Sequence, residues 1–317
     1  MTFLQEKEPN MYLKHFNLSE LPFSITPDTS FFMNRAGYQD ALNVLTIALR
    51  SGEGFVKVTG EVGVGKTILC RKLMKSVSQK FVIAYIHNPY IKPESLLFSI
   101  ADALAVKYNS NISQHLLMKL ITKTLINVHR SGKKVLVCLD EVQAMPVQTL
   151  ESLRLLTNLE TEKRKLIQVV LFGQPELDML LTQPSVRQLK QRITFSYRLL
   201  PLNKVAMYSY IRHRLQIAGL TNDQLFTKRA CEAIYKQSNG IPRLINILCH
   251  KALICAYGEG KNKITHKHIN IAAQDIEHAK IKSENWFSQI MPKLPRWGFG
   301  SVAILVSGLM IHSFIGL

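Results

Sequence analysis

The chain has 317 residues, 47% of them hydrophobic, with 40 Lys+Arg against 22 Asp+Glu and a formal net charge of +18. That length and apolar content predict roughly two packed domains and exclude a wholly disordered or fibrous chain. The positive balance predicts attraction to polyanions and leaves nucleic acid, an anionic membrane surface and a nucleotide open as partners.

Five scattered cysteines (Cys70, Cys138, Cys231, Cys249, Cys255) show no C-x-x-C or zinc-like spacing, which predicts reduced core thiols in a cytosolic compartment. His266 and His268 lie two apart, on different faces of a helix, so no metal-protein chemistry is indicated beyond a nucleotide-associated cation.

At the start, Glu6, Lys7 and Glu8 stand where a signal peptide needs an apolar stretch, so none is expected. Residues 11–35 carry Tyr12, Phe16, Pro22, Phe23, Pro27-Asp28 and Phe31-Phe32, an irregular aromatic segment that should pack on something larger. A helix is predicted from about Gln39 to Arg50, with Ala41, Leu42, Leu45 and Leu49 on one stripe. Strands are predicted at Phe55–Thr59, Phe81–Ile86, Val135–Leu139, Leu166–Phe172 and Ile193–Leu199. The third and fourth are almost continuously apolar, as strands buried on both faces should be. Helices at about Lys66–Ser78, Pro93–Ala105, Ser113–His129 and Val147–Leu159 complete βαβ units, so the fold class is α/β with a five-stranded parallel sheet flanked by helices. After Pro201 the strand signal stops. Asn203–Ala218, Thr227–Gln237, Pro242–Tyr257 and Thr265–Ala279 read as a small all-α domain.

From Trp297 to Leu317 no Asp, Glu, Lys or Arg occurs. At about 1.5 Å per residue, a helix of that length just spans a hydrocarbon core of roughly 30 Å. The expectation is a membrane-spanning helix, with a docked terminal helix or an oligomer contact as the alternatives. Lys280, Lys282, Lys293 and Arg296 upstream face Glu284 alone, which places the bulk of the chain on the cytoplasmic side of the bilayer. The expected division is 1–35, 36–200, 201–280, a basic linker at 281–296 and the apolar helix at 297–317.

Gly60-Glu61-Val62-Gly63-Val64-Gly65-Lys66-Thr67 fits G-x-x-x-x-G-K-[ST] between a strand and a helix. The glycines let successive N–H groups point at phosphate oxygens, and the helix N-terminus adds partial positive charge. Lys66 would reach the β/γ-phosphates of ATP and the Thr67 hydroxyl would ligate Mg²⁺. Asp140 ends a buried strand and would share that cation; Glu141 would orient or deprotonate the attacking water. Arg187, Arg192 and Arg243 are candidates for stabilising charge in the transition state, or else solvated helix arginines.

On these strings the chain resembles the ExeA-type AAA+ ATPases of secretion and pilus assembly, and among them those of mannose-sensitive haemagglutinin (MSHA) type IV pilus biogenesis. The resemblance runs from about Met11 to Ala279. Besides the P-loop and Asp140-Glu141, it is carried by the strings at 153–161, Phe172-Gly173-Gln174-Pro175-Glu176-Leu177, Arg187-Gln188-Leu189-Lys190-Gln191-Arg192 and Gly240-Ile241-Pro242-Arg243-Leu244-Ile245-Asn246. It implies a sensor 1 role for Gln174, sensor 2 for Arg243 reaching from a helical lid, and an arginine finger offered to a neighbouring subunit. Arg192 is favoured for the finger and Arg187 held in reserve. It implies an N-terminal cover on the adenine side, a homo-oligomer, pilus or secretion assembly proteins as partners, and the bacterial inner membrane as location. Tyr38 stands where family members often carry His. The competing reading is a DNA-binding ATPase of the transposon target-selection type, which the apolar C-terminal segment disfavours.

Overall fold

Two almost continuously apolar runs set the centre of the sheet. The computed structural model describes residues 11–276 except 27, 34, 35, 110, 157–159, 162, 163 and 221–223. Strands β1 (Phe55–Gly60), β2 (Phe81–Ile86), β3 (Lys134–Leu139), β6 (Ile167–Gly173) and β7 (Ile193–Leu199) form one parallel sheet in the order β2-β3-β6-β1-β7. The apolar runs are its two middle-left strands, β3 and β6. On β3, Val135, Val137 and Leu139 enter one core while Leu136 and Cys138 enter the other. Alternation is the geometric consequence of the strand period of two, and apolar residues on both faces are what a helix-covered sheet requires.

Helices α4 (Pro93–Ala103), α5 (Gln114–Arg130) and α6 (Val147–Leu156) cover the first face through Leu96, Ile100, Leu117, Ile121 and Leu150. Helices α2 (Ala36–Ser51) and α3 (Lys66–Val77) cover the second through Leu45, Leu49, Leu69 and Leu73. A two-residue ribbon, β4 (Glu160–Thr161) against β5 (Arg164–Lys165), precedes β6, and short helices α7 (Glu176–Leu180) and α8 (Arg187–Arg192) bridge β6 to β7.

Beyond β7 come α9 (Lys204–Ile217), α10 (Lys228–Ser238) and α11 (Pro242–Gly258). Asn203 and Thr227 cap the first two, their side chains accepting the N–H groups of Ala206 and Ala230. This helical lid is fastened where it leaves the sheet: Leu202 N–H donates to Gly240 C=O at 2.9 Å. A Cβ on Gly240 would stand 1.9 Å from Leu202 O, so only glycine fits there.

The aromatic N-terminal segment opens with helix α1 (Met11–His15) rather than being irregular throughout. Tyr12, Phe16, Phe23 and Phe31 are buried, and Ser19 N–H donates to Ala218 C=O at 2.8 Å, so the "something larger" is the lid. The chain divides into a compact unit, Met1–Ile269, and a second, Asn270–Leu317, in which residues 270–276 are helical. Residues 1–10, the end of the helix predicted to Ala279, the basic linker 281–296 and the apolar run 297–317 lie outside the described residues. Among the described residues no helix is long and apolar enough to cross a membrane.

Candidate functional site

All five strands end at one edge of the sheet, and the candidate residues gather there. β1 stops at Gly60, the chain turns, and α3 starts at Lys66. Gly63 (φ 81°) and Gly65 (φ 104°) adopt left-handed backbone conformations. A Cβ on Gly60 would lie 2.8 Å from Leu199 O, and one on Gly65 would lie 2.2 Å from the Tyr38 hydroxyl. The loop is therefore glycine-rich because its neighbours leave no room. Its remaining members behave differently: Val64 is buried, while Val62 is half-exposed at the rim. The N–H groups of the first turn of α3 have no partners within the helix and point outward with its positive dipole end.

Lys66 is buried, and its Nζ donates to the carbonyls of Gly60 at 2.9 Å and Glu61 at 3.2 Å. Burial pulls its ammonium below the usual lysine range, opposed by the carboxylates of Glu141, Asp140, Glu61 and Glu176. The Thr67 hydroxyl donates to Asp140 Oδ2 at 2.6 Å, and the Tyr85 hydroxyl stands 3.5 Å from the same oxygen. Hydroxyl and carboxylate oxygens side by side are hard donors suited to a Mg²⁺-sized cation.

Glu141 follows with φ 53° and is clamped by two amides. Gln143 Nε2 donates to its Oε2 at 2.6 Å and Gln174 Nε2 to the same oxygen at 3.0 Å. Burial opposes ionisation of Glu141, but Gln174, Gln143 and Lys66 outweigh it and hold the carboxyl below the ordinary range.

A cavity of about 380 Å³ opens from this edge, lined by the loop, Tyr38, Glu141 and Arg243, and by Ser24, Thr26, Phe31 and Phe32 of the N-terminal segment. That volume lies in the usual range of small-molecule sites. Arg214, on α9, anchors the segment: its guanidinium donates to the carbonyls of Pro22 and Ser24, and lies 4.6 Å from the Phe31 ring centroid. Asn246 Nδ2 also donates to Ser24 C=O, at 3.3 Å, and Tyr210 joins Asn246 to Arg214.

The structure thus brings together Gly60, Glu61, Gly63, Gly65, Lys66, Thr67, Asp140, Glu141, Gln174 and, at the rim, Arg243. It keeps Arg187 and Arg192 apart from them. In the register of the edge strand, Ile193 pairs with Phe55 and Leu199 with Gly60, so Arg192 stands at the amino end of β7. At about 3.3 Å per strand residue that is roughly 20 Å from the loop. Sequence reasoning missed Gln143, Tyr210, Arg214 and Asn246. Asn246 closes the Gly240–Asn246 string, which was a signal; Arg214 had only its place in an otherwise amphipathic helix.

A protein-family model described as an AAA domain matches residues 49–181. The chain is similar to the general secretion pathway protein A of Aeromonas hydrophila, 44% identical over 285 residues, 90% of this chain and 52% of that protein. It spans about half the length of that curated relative. Among solved structures, Cdc6p of Pyrobaculum aerophilum is similar at TM-score 0.61 and 19% identity, covering 78% of this chain and 71% of that one. The ORC1 protein of Aeropyrum pernix, solved in complex with DNA, is similar at TM-score 0.61 and 17% identity, covering 92% and 76%. At those identities the likeness is one of fold.

Proposed function

We propose that this chain is an AAA+ ATPase of the general secretion pathway protein A type, hydrolysing ATP to support assembly of a type IV, MSHA-like pilus or a secretion machine at the bacterial inner membrane. The observation that carries the chemistry is the joining of Thr67 to Asp140, and of Glu141 to Gln174, beneath a glycine loop and a buried lysine. In this reading the loop N–H groups and Lys66 hold the β/γ-phosphates, the N-terminal segment covers the adenine, and Thr67 with Asp140 holds Mg²⁺. A bound Mg²⁺ supplies charge neutralisation at the phosphates. Glu141 aligns water and accepts its proton, Gln174 senses the γ-phosphate side, and Arg243 closes from the lid.

Assembly into a homo-oligomer is supported by the place of Arg192, at the amino end of β7 and beyond the reach of its own loop. The same amino edge carries Arg50, Lys80, Lys133 and Lys134 beside the entries to the strands. Head-to-tail contact would bring Arg192 to a neighbour's phosphates. The membrane anchor rests on the charge-free run 297–317. The same basic edge is the observation that favours the second reading, a DNA-binding ATPase of the transposon target-selection type.

The test is complementation. A deletion strain should lose surface pili or secretion, regain them with the parent gene, and fail to regain them with Lys66→Ala. Normal assembly in the deletion strain would overturn the assembly role. Duplex DNA that stimulates turnover, with assembly intact in the deletion strain, would establish the second reading.

A further inference from the structure

Gln143 sits in the 3-10 turn Val142–Ala144, immediately beyond the left-handed Glu141. That turn folds its half-buried side chain back onto the residue two before it. Both ends of the amide are used: Nε2 donates to Glu141 Oε2 at 2.6 Å, and Oε1 accepts the backbone N–H of Gln174 at 2.9 Å. The orientation is self-consistent, because reversing the amide would set NH₂ against N–H and a carbonyl against a carboxylate. Gln174 closes the triangle by donating its own Nε2 to the same Oε2 at 3.0 Å. Gly173 makes room for this arrangement, since a Cβ there would stand 3.2 Å from Gln143 Oε1 and 2.8 Å from Leu177 Cδ2.

We propose that Gln143 is a positioning residue for ATP hydrolysis, linking the carboxylate of Glu141 to the backbone of Gln174 so that the end of β3 and the end of β6 move as one. The proposal rests on the reading of this site as an ATPase. Both polar atoms of the Gln143 amide are engaged by protein partners, so its effect passes through Glu141 and Gln174 rather than through a contact with phosphate or adenine. Two donors on Oε2 fix one oxygen of the carboxylate and aim the other, and a change of partner at Gln174 is felt at Glu141 through Gln143. A side chain without donor and acceptor leaves Glu141 held by Gln174 alone, and so less firmly aimed at the water it must align.

The experiment is steady-state hydrolysis and equilibrium nucleotide binding by the full chain for Gln143→Leu and Gln143→His, with Glu141→Gln in parallel. Gln143→Leu should lose on the order of tenfold or more in kcat, less than the 10²–10⁴ of a general base itself. KM and the nucleotide Kd should stay within about twofold, because no phosphate or adenine contact is lost. Gln143→His offers a donor on one ring nitrogen and an acceptor on the other, and should recover most of the lost rate. Gln143→Ala replaces the leucine variant if that protein does not bind nucleotide. Parent kcat in Gln143→Leu, or a loss residing in Kd that histidine does not repair, overturns the proposal while leaving the ATPase reading intact. Parent turnover in Glu141→Gln overturns the ATPase reading itself.

Discussion

The carbonyl oxygen of Gly63 accepts the backbone N–H of Arg243 at 3.2 Å, joining the phosphate loop to the first turn of the lid helix α11. A Cβ on Gly63 would stand 2.7 Å from Arg243 Cβ, and Gly63 has φ 81°. Gly63→Ala therefore meets both a steric and a backbone penalty, the latter about 1–2 kcal/mol. Its ATP affinity should fall about tenfold or more in titration calorimetry with a non-hydrolysable analogue. Arg243→Ala keeps the backbone bond and should lose mainly kcat. Unchanged affinity in Gly63→Ala would show that this loop–lid contact does not form part of the bound state.

The Tyr38 hydroxyl donates to Val64 C=O inside the loop, and its ring packs edge-on against Phe32 at 5.4 Å. Tyr38→Phe keeps the ring and removes one buried hydrogen bond, a net cost of about 1 kcal/mol. The melting temperature should drop by about 2–4 °C, and addition of ATP should recover part of it. A melting curve superimposable on the parent's would mean the hydroxyl contributes nothing to the loop.

Arg214 holds the N-terminal segment by two backbone carbonyls and by stacking on Phe31. Arg214→Ala orphans Pro22 C=O and loosens the wall that the N-terminal segment gives the cavity. KM for ATP should rise about tenfold with a smaller change in kcat, because the phosphate side is untouched. Arg214→Lys should recover little, since a compact ammonium lacks the planar guanidinium that lies over the Phe31 ring while its separate nitrogens reach the two carbonyls. Parent KM in the alanine variant would remove the segment from nucleotide binding.

Much of this was legible in the sequence because it is local. Val135–Leu139 and Leu166–Phe172 are nearly apolar throughout, as strands buried on both faces are, and Gly60–Thr67 is one contiguous motif between a strand and a helix. What stayed hidden depends on distant partners. Arg214 meets Pro22 across 192 positions and Tyr12 meets His250 across 238, and no periodicity reports such pairs. Gln143 escaped for another reason. A glutamine one residue beyond Asp140-Glu141-Val142 reads as part of a polar turn, and the left-handed Glu141 is what folds it back into the site. The ribbon at 160–165 is too short to carry a period.

The finger assignment gives the last prediction. Gly60 ends β1 beside Leu199, while Arg192 precedes Ile193 at the far end of the neighbouring strand. That separation, roughly 20 Å at about 3.3 Å per residue, is beyond the reach of one side chain, so Arg192 cannot serve its own loop. If it stabilises the transition state at all, it does so in a neighbouring subunit. Specific ATPase activity should then rise with protein concentration, because dilution dissolves the shared site. Arginine fingers contribute on the order of 10³–10⁵ in rate, so Arg192→Ala should be nearly inactive while still binding ATP. Lys66→Ala retains a good finger and lacks a good loop. Each variant alone should be dead, and an equimolar mixture should regain turnover through hybrid interfaces in which one partner supplies the loop and the other the arginine. Arg187 lies exposed on the same helix, five positions earlier, and Arg187→Ala in the same mixing assay separates the two. Recovery with Arg192→Ala and full activity of Arg187→Ala alone would assign the finger to Arg192. Activity per molecule that is flat with concentration, together with a dead mixture, would rule out a finger in trans.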